Sequence, residues 1–208
     1  VGGLFNPSLE SVLALRPDLV VMVPGVEQHR LGRRLEELGI PVLVLPNITL
    51  DELLSSMQEL GRRVGRERQA DERVAAIRRA WQDTARDAAA RPRVPALLVL
   101  QRDPLYLVGD GTWVDAMLEA AGVDNLAAEL DDGFPRAAVE WLIEASPQLL
   151  LDATEGAANP LAFWSRWPSI PAVAAGRVRA LPGDWIRPGP YIDRSLKGVA
   201  ALVREAAP

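Results

Sequence analysis

Cysteine is absent from this chain of 208 residues, and histidine occurs once, as His29. These gaps exclude structural disulfides, thiolate metal sites, cysteine nucleophiles and multi-histidine metal sites. A cysteine-free chain suits an oxidising compartment. Lysine is nearly missing too: Lys197 is the only one, and arginine supplies the remaining positive side chains. No apolar run approaches the ~20 residues of a membrane span, and no basic patch followed by an apolar stretch opens the chain. A basic stripe is lacking as well, and the net charge of -5 argues against nucleic acid as a partner. There is no Ser-His-acid order, no phosphate loop and no Gly-x-Gly-x-x-Gly after a strand. What remains is 49% hydrophobic and 25% charged, an ordinary globular composition long enough for one large domain or two small ones.

One passage is written twice. Leu9-Glu10-Ser11-Val12-Leu13-Ala14-Leu15-Arg16-Pro17-Asp18-Leu19-Val20-Val21 returns as Val139-Glu140-Trp141-Leu142-Ile143-Glu144-Ala145-Ser146-Pro147-Gln148-Leu149-Leu150-Leu151, without a gap. Each copy reads as a short amphipathic helix stopped by a proline that feeds an apolar strand. Strands of that composition belong in a parallel sheet, so the repeat predicts one helix-to-strand unit in each of two similar lobes.

Asn6 or Ser8 caps the first helix, and the strand Leu19 to Val23 ends at Pro24-Gly25. Glu27 to Leu38 is helical, with Leu31, Leu35 and Leu38 on one face and Gly39 as its stop. Ile40 to Leu45 is a second strand. Thr49-Leu50-Asp51-Glu52 then caps a helix whose inward residues include Leu53, Leu54, Met57 and Leu60. Strand and helix alternating at this spacing make an α/β layer. From Arg66 to about Ala90, Glu, Arg, Ala and Gln dominate, and Val74, Ile77 and Trp81 are helically spaced. That predicts one long, mostly solvated helix rather than a flexible linker.

The second half restarts with a strand from Val94 to Leu100, a loop over Gln101-Arg102-Asp103-Pro104, and a helix from Thr112 to Ala121. After the second copy comes an irregular stretch from Thr154 to Pro171, then a strand from Val178 to Leu181. Gly183 to Tyr191 is a loop rich in Pro and Gly, and a closing helix runs from about Ile192 to Ala206.

Six tryptophans is a high count, and three of them fall in loops of the second half. Trp185, Tyr106 and Tyr191 are candidates to wall a large planar ligand, with Asp184 beside Trp185. Trp185 follows a strand end, where ligands bind in open α/β sheets. Trp164 and Trp167 fit the core or a lobe surface better. Pro24-Gly25 and Val108-Gly109 are strand-end loops where backbone can approach a ligand, with plain turns as the alternative. Arg187 suits a carboxylate, phosphate or amide oxygen, or simple solvation. His29 reads as a surface residue. No metal site and no cofactor are expected, and no titratable cluster suggests an enzyme.

"NPSLESVLALRPDLVV", "LEELGIPVLVLP", "LYLVGDGTWVDAMLEAAGVDNLA", "VEWLIEASPQLLLDA" and "IPAVAAGRVRALPGDWIRPGP" occur in that order. Together they resemble the substrate-binding proteins of bacterial importers for cobalamin, haem and ferric siderophores, and the likeness spans essentially the whole chain. Asp184-Trp185 and the Asn-Pro-Ser-Leu-Glu opening most resemble the cobalamin-binding members. The resemblance implies an α/β protein of two lobes with mainly parallel sheets flanked by helices, joined by one long rigid helix. Residues 1–65 would form the N-terminal lobe, 66–91 the connecting helix and 92–208 the C-terminal lobe. The first strand and helix of the family have no counterpart here, and the chain opens abruptly at Val1-Gly2-Gly3, as a sequence entered partway through a fold would.

The resemblance further implies capture of a ligand between the lobes and delivery to the transmembrane subunits of an ABC permease, in the periplasm or tethered to the outer face of the cytoplasmic membrane. Glu10 and Glu140, one per lobe, would pair with arginines of the two permease subunits; complementing a helix N-terminus is the plainer role. A corrinoid is the first expectation for the ligand, since its cobalt can arrive already coordinated. A ferric siderophore would call for converging arginines, and haem for an axial Tyr or His. The expected form is a monomer, and the alternatives of another class are an enzyme or a non-transport interaction domain.

Overall fold

The computed structural model describes residues 1–3, 6–130, 132–156 and 159–206. The chain divides into two compact units, Val1–Ala70 and Asp71–Pro208.

The first unit opens with β1 (Gly2–Gly3) and β2 (Asn6–Pro7), an antiparallel pair. Ser8 caps α1 (Leu9–Ala14), its hydroxyl accepting from the Ser11 amide at 3.2 Å. Arg16, ahead of Pro17, takes a φ of 46° and turns the chain into β3 (Val20–Met22). α2 (Val26–Glu37) stops where Gly39, at φ 79°, frees the chain to reverse. Leu38 sits at that stop and is exposed, not on the inward face with Leu35 as the spacing predicts. β4 (Val42–Val44) pairs parallel with β3 in the register Val20↔Val42. The Thr49 and Glu52 of the predicted capping box bond reciprocally, at 3.1 and 3.0 Å, to start α3 (Leu50–Arg63). Leu35, Leu43, Leu53 and Leu54 form the buried centre.

α4 (Glu67–Ala88) is the long polar helix that carries the chain into the second unit. Its apolar stripe is as sparse as the composition predicts: Val74 and Ile77 are buried, and the Trp81 indole donates to the Ala116 carbonyl at 3.3 Å.

The second unit is built on β5 (Val94–Arg102), whose residues from Ala96 to Val99 are sealed from solvent. β6 (Leu105–Leu107) turns straight back along it as an antiparallel partner. The predicted loop from Gln101 to Pro104 is therefore a strand end and a tight turn, because Gln101 and Arg102 pair with Tyr106 and Leu105. Thr112 caps α5 (Trp113–Ala120), which leads to β7 (Val123–Asn125) and a 3-10 turn at Leu126–Leu130. The second copy of the repeat supplies α6 (Val139–Ala145) and β8 (Leu149–Asp152). α7 (Pro160–Trp164) and α8 (Pro171–Ala174), each opened by proline, give order to a stretch that reads as irregular. β9 (Val178–Ala180), a 3-10 turn at Gly183–Ile186 and α9 (Ile192–Ala206) complete the chain.

β6 and β7 share one edge of β5; β8 and then β9 continue from the other. β7, β5, β8 and β9 are parallel, so the protein is α/β with mainly parallel sheets flanked by helices. All six tryptophans and both tyrosines lie in the second unit. Trp164 is its largest fully buried side chain, packed edge-on to Phe163 with ring centres 5.2 Å apart.

The repeat is real at the level of backbone angles. Among the described residues, the only non-glycine residues with positive φ are Arg16 (46°) and Ser146 (50°). They are equivalent positions in the two copies, each directly before the proline. A proline bars its predecessor from the helical region. Here both predecessors take the left-handed alternative: Ser146 caps α6 directly, and Arg16 follows Leu15, the cap of α1.

Candidate ligand-binding site

An open concavity of about 790 Å3 lies at the C-terminal ends of β5, β8 and β9. Leu100, Ala153, Ala180, Leu181, Pro182 and Ile186 give it an apolar wall, while Thr154, Glu155, Asp184 and Arg187 bring polar groups. The last three are exposed. Two carboxylates and one guanidinium therefore share the lining with an apolar surface.

The rear of this site hangs on Asp152, the residue that ends β8. Its buried carboxylate accepts from Arg102 Nε at 2.9 Å, Trp164 Nε1 at 2.7 Å and the Thr154 amide at 3.0 Å. The Arg102 guanidinium lies 4.2 Å from the Phe163 ring centre. Three donors on one buried carboxylate fix the first residues after β8, because each lost bond would leave a desolvated charge poorly matched. At the neighbouring strand, Leu181 donates to the Asp152 carbonyl at 2.8 Å, and the 3-10 turn follows at once. That turn closes through the Trp185 amide on the Pro182 carbonyl at 2.9 Å.

Of the residues singled out from sequence, Asp184 and Arg187 line this concavity. Trp185 points elsewhere: its six-membered ring rests on the backbone of Gly198 in α9, where a Cβ would collide with Cη2, Cζ3 and Cζ2. Trp185 and Tyr191 border a second hollow of about 350 Å3, together with Asp184, Arg187 and Arg194. Tyr191 is 57% exposed and has two arginines near its ring, with the guanidinium carbons of Arg73 and Arg194 at 5.4 and 4.4 Å from its centre.

Tyr106 and Gly109 are not brought to the concavity. Tyr106 sits in β6 opposite Gln101 and bridges to Arg136. Gly109 does admit a close backbone approach, but the approaching group is the Asp132 carbonyl of the protein itself, with the Pro135 ring beside it.

In the first unit, Pro24 and Gly25 line a smaller concavity of about 240 Å3 at the ends of β3 and β4, with Met22, Val23, Gln28, His29 and Val44. His29 is thus exposed at the rim of that hollow. Glu10 and Glu140 occupy the first turns of α1 and α6, both exposed, and neither joins an ion pair among the described residues. Among the described residues there is also no group of three or more His, Asp or Glu side chains arranged to hold a metal ion.

Thr154, Glu155 and the Arg102–Asp152–Trp164 cluster are not among the residues singled out from sequence. One signal was available: Asp152 is an acid placed directly after Leu149-Leu150-Leu151, at the end of a buried strand.

Residues 1–185 match the model of a family described as periplasmic binding protein. The vitamin B12-binding protein of Vibrio cholerae is 24% identical over 201 residues, covering 96% of this chain and 72% of the relative. That of Vibrio campbellii is 24% identical over 179 residues, covering 86% and 65%. The chain therefore spans about two thirds to three quarters of the length of these relatives. Among solved structures, a periplasmic haem-binding protein from Roseiflexus sp. RS-1 matches with a TM-score of 0.84 at 22% identity, over 98% of this chain and 81% of that one. The periplasmic vitamin B12-binding protein of Vibrio cholerae gives 0.78 at 22% identity, over 95% and 78%. The fold is shared across binding proteins for different ligands. On the extent of the family match, this chain belongs to the periplasmic binding protein family.

Proposed function

We propose that the chain is the extracytoplasmic substrate-binding component of an ABC importer and that its ligand is a corrinoid. The observation that carries the ligand class is the lining of the larger concavity: apolar wall, two carboxylates, one guanidinium. A corrinoid presents a broad ring edge studded with neutral amides, which both donate to Asp184 and Glu155 and accept from Arg187. An anionic ferric siderophore would meet net negative charge there, against the Coulomb preference. Haem would want an axial Tyr or His, and neither residue type lines this concavity. The vitamin B12-binding relatives support the same class.

His29 favours haem as the second reading, because it stands at the rim of the hollow in the first unit. Delivery to a permease rests on Glu10 and Glu140, equivalent exposed carboxylates on the first turns of the repeated helices. Unpaired charges of this kind set register and encounter rate with a partner more than affinity.

Calorimetric titration with cyanocobalamin, haemin and a ferric siderophore tests the ligand. Cyanocobalamin is expected to bind at micromolar concentration or below, and the others more weakly. Preference for haemin that disappears in His29→Ala would replace the corrinoid reading with the haem one, and binding of none would overturn transport. Glu10→Lys and Glu140→Lys should leave ligand affinity unchanged and abolish uptake by cells; a loss of affinity would remove these residues from the docking role.

A further inference from the structure

The segment 182–191 carries Asp184 and Arg187, yet it has little regular structure beyond one 3-10 turn. Two ties outside it hold it. At its start, the outer edge of the Trp185 six-membered ring meets α9 at Gly198, a contact that any side chain at 198 would break. Glycine is the poorest helix former after proline, so its place two turns into a 15-residue helix calls for a reason, and the indole supplies one. At its end, Arg73 of α4 donates to the Pro190 carbonyl, pairs with Asp193 at the start of α9 and stands 5.4 Å from the Tyr191 ring centre. Arg73 and Asp193 keep only 26% and 14% of their side-chain exposure, so this pair is screened less than a surface one.

We infer that Gly198 and Arg73 are positioning residues for ligand binding. They pin the two ends of the segment, so that Asp184 and Arg187 are presented to the concavity before the ligand arrives. Trp185 serves as the peg of the first tie. None of the three touches the larger concavity. The inference rests on the binding role proposed above, and it assigns the tryptophan to the scaffold rather than to the ligand. Preorganisation of this kind raises affinity by removing an ordering cost, not by adding a contact.

Gly198→Ala and Arg73→Ala are the variants, read in two ways on the folded full chain. By amide hydrogen exchange, protection over residues 183–191 should fall about tenfold in each, with β5, β8 and β9 unchanged. By calorimetry with cyanocobalamin, haemin and a ferric siderophore, whichever probe the unmodified protein binds should bind about tenfold more weakly. Trp185→Phe lacks the ring atoms that reach Gly198, so adding Gly198→Ala to it should cost nothing more. Unchanged protection, unchanged affinity despite lost protection, or additive losses in the double variant would each overturn the inference. If the unmodified protein binds no probe, the functional reading fails, and the exchange data alone decide whether the ties exist.

Discussion

The two copies of the repeated passage fold to the same local shape and meet different fates. In the first unit, β3 has one partner strand, and Val21 and Val44 are 46% and 45% exposed. In the second, β8 lies between β5 and β9 with every residue buried. The contrast extends to polar groups. Among the described residues, the first unit buries one polar side chain, Ser56, which donates to the Pro46 carbonyl at 2.6 Å. The second buries Thr112, Asp115, Asn125, Asp152 and Ser195. Local signals such as a pre-proline left-handed residue set where a helix stops. They do not set how deeply the following strand is covered, since that depends on neighbours far away in sequence.

Equivalent positions in the two copies turn this contrast into measurements. The largest effect is expected one residue beyond the copies, where Asp152 stands at the position equivalent to Met22. Asp152→Asn leaves the buried Arg102 charge without its partner and should cost about 3–5 kcal/mol in chemical denaturation. Met22→Leu, a volume-conserving change at a half-buried site, should stay within about 1.5 kcal/mol. Similar costs at the two positions would sink the buried-pair account of the site's rear wall. Next, Leu151→Ala removes a side chain sealed inside the sheet and should cost about 2–5 kcal/mol, while its counterpart Val21→Ala should stay within about 0.5 kcal/mol. A comparable loss at Val21 would mean that the exposed face of β3 is covered in solution.

The smallest effect concerns Asp115, whose carboxyl is raised above the ordinary aspartate value of 3.8, chiefly by burial and against the Asn125 hydrogen bond. Below that value the group is protonated both folded and unfolded and contributes nothing. As pH rises from 3.8 toward the raised folded value, the folded state holds the proton that the unfolded state loses, so stability falls through that window and levels off above it. Asp115→Asn, which keeps a carbonyl oxygen for Asn125, should flatten this slope in pH-dependent melting curves. A slope that survives the substitution would assign the titration to another group.

Much of the fold was readable because its punctuation is local. The Thr49–Glu52 capping box, the stop at Gly39, and the closing helix from Ile192 to Ala206 need only a few neighbouring residues. β6 was not readable as a strand, because its pairing depends on register with Gln101 and Arg102 rather than on its own three residues. The site was half legible for the same reason. Asp184 and Arg187 follow a strand end, a position with local meaning. Where Trp185 turns is decided by a glycine on another element, and Thr154 and Glu155 owe their place to a carboxylate whose partners come from β5 and α7.

The placement of every tryptophan and tyrosine after residue 80 also decides what light can report. Tryptophan and tyrosine absorption and emission come from the second unit alone, and the first, which has Phe5 but neither of these, is silent in those bands. Emission during denaturation therefore follows one unit, whereas far-ultraviolet circular dichroism follows both. Superimposable transitions by the two probes would show the units melting as one; separated transitions would show two. A single tryptophan introduced at Leu43 would give the silent half a voice.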